Sequence, residues 1–328
     1  MDLLIQSGLL FIGFILLIGG ADKLVEGSSS IARGFGIPTV IIGLTIISLG
    51  TSLPELMVSL SASMSGQNDF AVGNIIGSNI ANIALVLGLA SLFAVLKVQS
   101  STVKKEIPYM LLATVMLVIF MFDSWINPGI TQNIISRSEG ILYIIGLALF
   151  MMYLFFIIKN SKKDTADAEF ADATPDEEIP PLTLTKSLVY IILGLLALVY
   201  GASVIIDSAT WLGNYFAIPE SVIGLFVLAI GTSLPEIATS IIAARKGEVD
   251  LAVGNVVGSN IFNLLFVLGI SATVSPLLFD TKLLLDAFIL LGVSFLFYIF
   301  AIRGMSINKT EGILLLIFYV SYMSYNFL

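Results

Sequence analysis

The sequence predicts an all-α polytopic membrane protein with ten transmembrane helices, arranged as two inverted five-helix repeats with both termini outside. Three observations lead to this fold class: the composition, the distribution of Lys and Arg along the chain, and an internal repeat. Of the 328 residues, 57% are hydrophobic and 12% are charged, whereas soluble globular proteins carry about 25% charged residues. The composition therefore predicts a chain that is mostly surrounded by lipid.

Ten apolar segments are candidates for membrane spans. A helix needs about 20 apolar residues to cross the hydrocarbon core of a bilayer. The candidate segments cover residues 3–20, 37–64, 70–96, 107–122, 140–158, 187–206, 221–243, 251–278, 283–302 and 312–327. The fourth and the tenth are the shortest, at 16 residues each.

The positive charges test this number of spans. When the N-terminus is placed outside and the loops are assigned alternately, thirteen of the 15 Lys and Arg residues fall in cytoplasmic loops, and only Arg137 and Lys282 lie outside. Cytoplasmic loops of membrane proteins carry an excess of Lys and Arg, and a missed or extra span would scramble the alternation. We therefore predict N-out and C-out termini in the plasma membrane.

The chain divides into three parts. Residues 1–158 form the first five-helix repeat, residues 159–185 an acidic cytoplasmic linker, and residues 186–328 the second, inverted repeat. Seven of the 23 acidic residues lie between positions 164 and 178, so the net charge of −8 describes this loop and not a binding surface. A segment of this composition cannot bury a core, and we expect it to be a flexible tether.

Two long stretches of the chain repeat each other at a constant offset of 181 residues. Residues 43–89 and 224–270 align without a gap and are identical at 24 of 47 positions. The matched blocks include GTSLPE at 50–55 and 231–236, and GSNI at 77–80 and 258–261. Because five spans precede the second copy, it enters the membrane upside down. Such inverted repeats are typical of secondary transporters, whose substrate site lies at the membrane midplane.

One glutamate in each repeat lies near the middle of a predicted span. Glu55 lies in the second span and Glu236 at the matched position in the seventh, and neither span contains Lys or Arg. A charge at the bilayer centre costs at least about 2.5–3.5 kcal/mol, and two carboxylates that are brought together repel each other unless a cation lies between them. We therefore predict that Glu55 and Glu236 bind a metal cation.

A proline before each glutamate predicts a break in both helices. Pro54 and Pro235 have no amide N–H to donate to the carbonyl four residues earlier, and the Gly that begins each GTSLPE block weakens the helix further. We expect the freed carbonyls of residues 48–51 and 229–232 to point into a cavity, because irregular backbone at this depth is tolerated only there.

Hydroxyl groups surround each glutamate in the sequence. Thr51 and Thr232 lie four residues before the glutamates and therefore share a helix face with them. Ser52 and Ser233 lie beside these threonines, and we expect them to be hydrogen-bond partners of the carboxylates.

The second matched block supplies further oxygen atoms. Ser78 and Asn82 are four residues apart in the third span, and Ser259 and Asn263 repeat this spacing in the eighth. Hydroxyl and amide oxygens suit hard cations such as Ca²⁺, which takes six to eight oxygen ligands.

The same block contains small residues and a second asparagine. The GxxxG pairs at 73–77 and 254–258 are typical of helices that approach closely, and we expect them to bring the second and third spans of each half together. Asn74 and Asn255 are compatible either with hydrogen bonding between helices or with ligation of an ion.

The two blocks, GTSLPE followed by GNxxGSNIxN, resemble the alpha-repeats of the cation/Ca²⁺ exchanger superfamily, and within it the short prokaryotic and archaeal Na⁺/Ca²⁺ exchangers. The resemblance implies that Glu55, Glu236 and the carbonyls of Thr51 and Thr232 hold a central Ca²⁺, with Asn82 and Asn263 beside it. It also implies flanking Na⁺ sites and an exchange of three Na⁺ for one Ca²⁺. The ligands implied for Na⁺ are the two carboxylates, Ser78, Ser259, Thr51, Thr232 and the carbonyls of Ser48 and Ala229.

Two differences within the superfamily bear on the coupling ion. K⁺-dependent exchangers have Asp where this chain has Asn263, and the H⁺-coupled branch has Glu where this chain has Gly77 and Gly258. The resemblance therefore implies K⁺-independent Na⁺ coupling, with H⁺/Ca²⁺ or other divalent-cation antiport as the alternative.

Missing residue types exclude several functions. The chain has no Cys and no His, which excludes thiolate zinc sites and Ser-His-Asp triads, and no cluster of basic residues that would bind nucleic acid. We expect no enzymatic activity, no cofactor and no obligate protein partner; the expected partners are Ca²⁺, Na⁺ and the lipid bilayer. A cation channel is a further alternative, but a channel passes current without a counter-ion, whereas a transporter saturates.

Overall fold

A computed structural model describes residues 2–122, 133–161, 182–218 and 229–327, and helices occupy most of them. The α-helices of the first half are α1 (Asp2–Phe35), α2 (Thr39–Ile42), α3 (Ser48–Thr51), α4 (Leu53–Met64), α5 (Asn68–Ala81), α6 (Leu87–Ser91), α7 (Ile107–Phe120) and α8 (Arg137–Ser161). Turns of π-helix cover Gly43–Ile47, Asn82–Val86 and Thr102–Glu106.

The second half repeats this order of elements. Its α-helices are α9 (Leu184–Tyr215), α10 (Ala229–Gly231), α11 (Leu234–Arg245), α12 (Val249–Phe262), α13 (Gly269–Val274), α14 (Lys282–Gly304) and α15 (Lys309–Phe327), with π-helix at Asn263–Leu268. Most of the predicted linker, residues 162–181, and residues 221–228 of the predicted seventh span lie outside the described residues.

The fold is all-helical and membrane-spanning. Six of the described helices are long and apolar enough to cross a bilayer, and the bent pair Thr39–Thr51 and Leu53–Met64 forms a seventh candidate. The 44° bend of this pair confirms the predicted break before Glu55. The predicted spans at 107–122, 221–243 and 312–327 overlap α7, α11 and α15, and their crossing of the membrane stays a prediction.

Two predicted spans end earlier than expected, because four short strands follow the helices. The helices end at Ser91 and Val274, and not at positions 96 and 278. Strand β1 (Leu96–Lys97) pairs with β4 (Ser306–Ile307), and β2 (Asn133–Ile135) pairs with β3 (Leu277–Phe279), both antiparallel. Leu96 and Leu277 are buried in these pairs, so the apolar run in the sequence is longer than the helix.

Helix α12 lies at the centre of the molecule. Every residue from Leu251 to Phe262 is buried, because α12 packs against the second span of the first half as well as against α11 of its own half. An added Cβ at Gly254 would lie 2.6 Å from the carbonyl oxygen of Val40, and one at Gly258 would lie 2.8 Å from Cα of Leu44. The expectation that these glycines join spans within one half was therefore wrong, since they join the two halves.

Loops that the charge distribution assigns to one side of the membrane contact each other. On the predicted cytoplasmic side, Arg33 forms an ion pair with Glu248 at 2.8 Å, and β1 pairs with β4. On the predicted outer side, the amide of Asp280 donates to Asp69 Oδ1 at 2.7 Å, and β2 pairs with β3. The predicted alternation of spans places both members of each of these contacts on one side of the membrane, and the orientation itself stays a prediction.

Helices α1 and α9 run well beyond the predicted spans at 3–20 and 187–206 and pack tightly along their length. Glycines seven residues apart line their interface, so that each backbone lies against the other. An added Cβ at Gly20 would lie 2.8 Å from the carbonyl oxygen of Gly194, and one at Gly194 would lie 2.7 Å from the amide of Leu24. Close backbone packing of this kind replaces the hydrophobic effect as the driving force between helices in lipid.

We expect Gly20→Ala to lower the stability of the protein by about 1–3 kcal/mol, because the new methyl group would collide with backbone atoms that cannot rotate away. Gly19→Ala is the matched control, since nothing lies within 4 Å of an added Cβ there. Both variants gain the same helix propensity, so the thermal midpoint of the detergent-solubilised protein should fall only for Gly20→Ala. Equal midpoints for the two variants would contradict this account of the interface.

Candidate functional site

The two glutamates occupy equivalent positions at the start of a helix. Glu55 lies in the first turn of α4 and Glu236 in the first turn of α11, and neither side chain is exposed to solvent. The preceding prolines occupy the first turn of each helix, where a missing N–H costs nothing. Each carboxylate therefore lies where free amide groups and the helix dipole favour negative charge.

The helix breaks produce this arrangement. Helix α3 ends at Thr51 and α4 begins at Leu53; in the second half, α10 ends at Gly231 and α11 begins at Leu234. The prediction that the Ser48 carbonyl is free was wrong, because it accepts the amide of Ser52 at 3.0 Å. Thr51 Oγ1 lies 3.4 Å from the same carbonyl oxygen, so both of its lone pairs have a neighbour within hydrogen-bond distance.

Each threonine reaches across to the other half of the chain. Thr51 Oγ1 donates to Asn255 Oδ1 at 3.1 Å and lies 3.4 Å from Ser259 Oγ. Thr232 Oγ1 lies 3.4 Å from Ser78 Oγ and 3.5 Å from Asn74 Oδ1. The repeats therefore interlock, so that the GTSLPE block of one half contacts the GSNI block of the other.

The two buried carboxylates belong to the same polar cluster. Glu55 and Glu236 are close enough to repel one another. Ser259 Oγ donates to Glu236 Oε1 at 3.4 Å. Two negative charges in one buried cluster need a cation between them to coexist.

Several buried oxygen atoms of the cluster have no hydrogen-bond partner among the described residues. They are Glu55 Oε1 and Oε2, Glu236 Oε2, Ser52 Oγ, Ser233 Oγ, Asn82 Oδ1 and Asn263 Oδ1. Buried polar atoms are normally paired, and an unpaired one costs about 1–3 kcal/mol. The donor set consists entirely of carboxylate, hydroxyl and amide oxygen, which is the chemistry of Na⁺ and Ca²⁺ ligands.

Asn82 and Asn263 occupy special backbone positions. Each is buried and is the first residue of a π-helical turn. Single π-helical turns inside α-helices are frequent at functional sites. Within the described residues, no third Asp or Glu completes an acidic metal cluster, so the charge of the site rests on Glu55 and Glu236.

The structure brings Glu55, Glu236, Thr51, Thr232, Ser78 and Ser259 of the two halves into one buried cluster, and Asn82 and Asn263 are also buried. Ser48, Ser52 and Ser233 are buried in it, whereas Ala229 is the first residue of α10 and its side chain lies outside the described part of the chain. Sequence reasoning missed Ser59 and Ser240, which accept the amide groups of Asn74 and Asn255 at 3.0 Å. Their identity at the 181-residue offset was the available signal.

The comparisons with known proteins agree with this geometry. A family model described as sodium/calcium exchanger protein matches residues 5–160 and 186–328. The inner membrane protein YrbG of Escherichia coli K12 is 42% identical over 278 residues, which cover 84% of this chain and 81% of YrbG. The sodium/calcium exchanger MaX1 of Methanosarcina acetivorans is 29% identical over 340 residues and 96% of each chain.

A solved structure shares the fold. The sodium-calcium exchanger NCX_Mj, soaked with 2.5 mM Na⁺ and 0.1 mM Ca²⁺, matches with a TM-score of 0.81 at 32% identity, over 98% of both chains. With matches that extend over both halves, the chain belongs to the sodium/calcium exchanger family of membrane transporters.

Proposed function

We propose that this protein exchanges Na⁺ for Ca²⁺ across the plasma membrane by alternating access. The observation that carries the proposal is the pair of fully buried carboxylates, Glu55 and Glu236, together with buried hydroxyl and amide oxygen atoms that have no hydrogen-bond partner among the described residues. A covalently attached cation, such as a Lys side chain, would neutralise the carboxylates permanently and leave no charge for a mobile ion to balance. A site that is charged when empty can accept and release mobile cations.

The charges determine how the two ions compete. One Ca²⁺ balances the two carboxylates, and we assign it to Glu55, Glu236 and the carbonyls of Thr51 and Thr232. We assign Na⁺ to flanking positions that use the same carboxylates together with the hydroxyl groups. Three Na⁺ leave one net positive charge, so exchange at this ratio moves charge. The empty site resists closure because uncompensated buried carboxylates are unstable.

Two features favour Na⁺ over other coupling ions. The site has Asn at position 263, which leaves two carboxylates in place of three and supports K⁺ independence. Gly77 and Gly258 stand where the H⁺-coupled branch has Glu, and neither can carry a proton. H⁺/Ca²⁺ antiport is the alternative that the transport experiment below separates from Na⁺ coupling.

We further propose ten spans in two inverted halves, residues 1–158 and 186–328, joined by a cytoplasmic linker at 159–185. The positive charges and the loop contacts on each side support N-out and C-out termini. Because α1 and α9 pack against each other through backbone glycines, we expect them to move as one unit. Their sliding against the ion-binding spans would open one side of the site at a time.

Glu55→Gln should abolish Ca²⁺ transport. Loss of one of the two carboxylates leaves a bound Ca²⁺ uncompensated in a buried site, at a cost of about 3–5 kcal/mol, which is at least about 100-fold in affinity. The measurement is ⁴⁵Ca²⁺ uptake into proteoliposomes that are loaded with Na⁺ and diluted into Na⁺-free buffer.

Glu106→Gln is the matched control for this experiment. Glu106 is also buried, but it accepts a hydrogen bond from Tyr153, which the Gln side-chain oxygen can still accept. Uptake by this variant should equal that of the wild type. Uptake that follows a pH gradient and ignores internal Na⁺ would replace Na⁺ coupling by H⁺ coupling, and a Glu55→Gln variant with normal uptake would refute the assignment of the site.

Exchange of three Na⁺ for one Ca²⁺ should respond to membrane potential. In Na⁺-loaded proteoliposomes each cycle carries one net positive charge outward, so an inside-positive potential, set with valinomycin and external K⁺, should accelerate ⁴⁵Ca²⁺ uptake. External K⁺ without valinomycin should have no effect. Uptake that is insensitive to potential would indicate an electroneutral ratio of two Na⁺ per Ca²⁺.

A further inference from the structure

A short chain of hydrogen bonds holds each threonine of the cluster from outside the ion-binding positions. In one chain, the amide nitrogen of Asn255 donates to Ser240 Oγ at 3.0 Å, and Asn255 Oδ1 accepts from Thr51 Oγ1 at 3.1 Å. Asn255 Oδ1 also lies 3.5 Å from Ser259 Oγ. Asn255 is completely buried, so it makes these bonds without competition from bulk water.

The other half contains the same chain. Asn74 Nδ2 donates to Ser59 Oγ at 3.0 Å, and Asn74 Oδ1 accepts from Thr232 Oγ1 at 3.5 Å. In both chains the Asn and Ser belong to one half and the Thr to the other. The serine fixes the orientation of the amide, so that its oxygen and not its nitrogen faces the threonine.

We propose that Asn74 and Asn255 are positioning residues that turn the hydroxyl groups of the cluster into Na⁺ ligands. A hydroxyl has one proton and two lone pairs. When the asparagine oxygen accepts the proton of Thr51 or Thr232, only lone pairs are left to face the cavity. A neutral amide achieves this without adding a charge to the two carboxylates.

The effect is specific for Na⁺. This step rests on the proposed function, in which Ca²⁺ is held mainly by the two carboxylates and Na⁺ takes hydroxyl ligands as well. A misdirected hydroxyl proton therefore weakens Na⁺ binding more than Ca²⁺ binding. Asn260 lies in the same helix as Asn255 but has a different partner. Its side-chain amide donates to the carbonyl of Val256 at 2.8 Å and not to a residue of the cluster.

The experiment compares Asn255→Leu, which has the same length but no acceptor, with the wild type. Equilibrium ⁴⁵Ca²⁺ binding to the full-length, detergent-solubilised protein gives the Ca²⁺ dissociation constant. For each variant, the Ca²⁺ concentration is then set equal to its dissociation constant and NaCl is added. The Na⁺ concentration that displaces half of the bound Ca²⁺ is the half-inhibiting Na⁺ concentration. We expect this concentration to rise about three- to tenfold, as for the loss of one hydrogen bond, and the Ca²⁺ constant to change less than about twofold.

Three further variants separate positioning from mere structural support. Asn260→Leu makes the same change at a buried asparagine outside the cluster and should match the wild type. Asn255→Asp keeps an oxygen acceptor and should not raise the half-inhibiting Na⁺ concentration. Ser240→Ala removes the hydroxyl group that holds the side-chain amide of Asn255, so that this amide can rotate. We expect it to raise the half-inhibiting Na⁺ concentration as Asn255→Leu does, but by a smaller factor.

The outcomes distinguish this inference from the proposed function. The positioning role would be overturned if Asn255→Leu changed the half-inhibiting Na⁺ concentration and the Ca²⁺ dissociation constant by the same factor. It would also be overturned if Na⁺ no longer competed with Ca²⁺ in Asn255→Asp. Neither result would contradict the proposed exchange. If Asn255→Leu does not fold, a wild-type response of Ser240→Ala would overturn it instead. A wild-type protein that binds Ca²⁺ without any competition by Na⁺ would overturn both proposals.

Discussion

Two carboxylates buried together constrain the rest of this protein. None of the ion pairs among the described residues involves Glu55 or Glu236, so their charge must be met by helix termini, hydroxyl groups and mobile ions. Each proline-induced break supplies a helix N-terminus at the carboxylate. The glycines of α12 let the backbones of the two halves touch, which brings the second glutamate to the first. Helix breaks and close packing thus serve one electrostatic requirement.

The two halves have the same residues at most positions of the expected ion site, and different residues at the ends of the molecule. The glutamates, threonines and asparagines of the cluster are identical in both halves, and so are its serines except Ser48, which corresponds to Ala229. The ion pairs that join α1 to the turn between α11 and α12 are not repeated. Asp22–Lys246 and Arg33–Glu248 correspond at the 181-residue offset to Ser203–Ser65 and Asn214–Gln67. The two ends of the molecule are therefore chemically different around a symmetrical centre.

Rigid and movable parts have different interfaces. The spans that carry the cluster interlock through hydrogen bonds between the halves, so a displacement of one would disturb the other. Helices α1 and α9 contact each other backbone to backbone and expose apolar side chains on much of their remaining surface. A pair held together more tightly than it is held to its surroundings is suited to sliding as a unit, which is the motion that alternating access needs.

The sequence by itself determined the membrane class, most span positions, the two glutamates and the break before each of them. These features depend on local composition, on proline chemistry and on a repeat that can be read in one dimension. Only the tertiary structure decided which groups meet. Thr51 and Asn255 are 204 positions apart, and no local pattern predicts that a threonine of one half bonds an asparagine of the other. The ends of the helices at Ser91 and Val274 were likewise decided by tertiary structure, because an apolar residue buried in a strand pair has the same sequence signature as one buried in lipid.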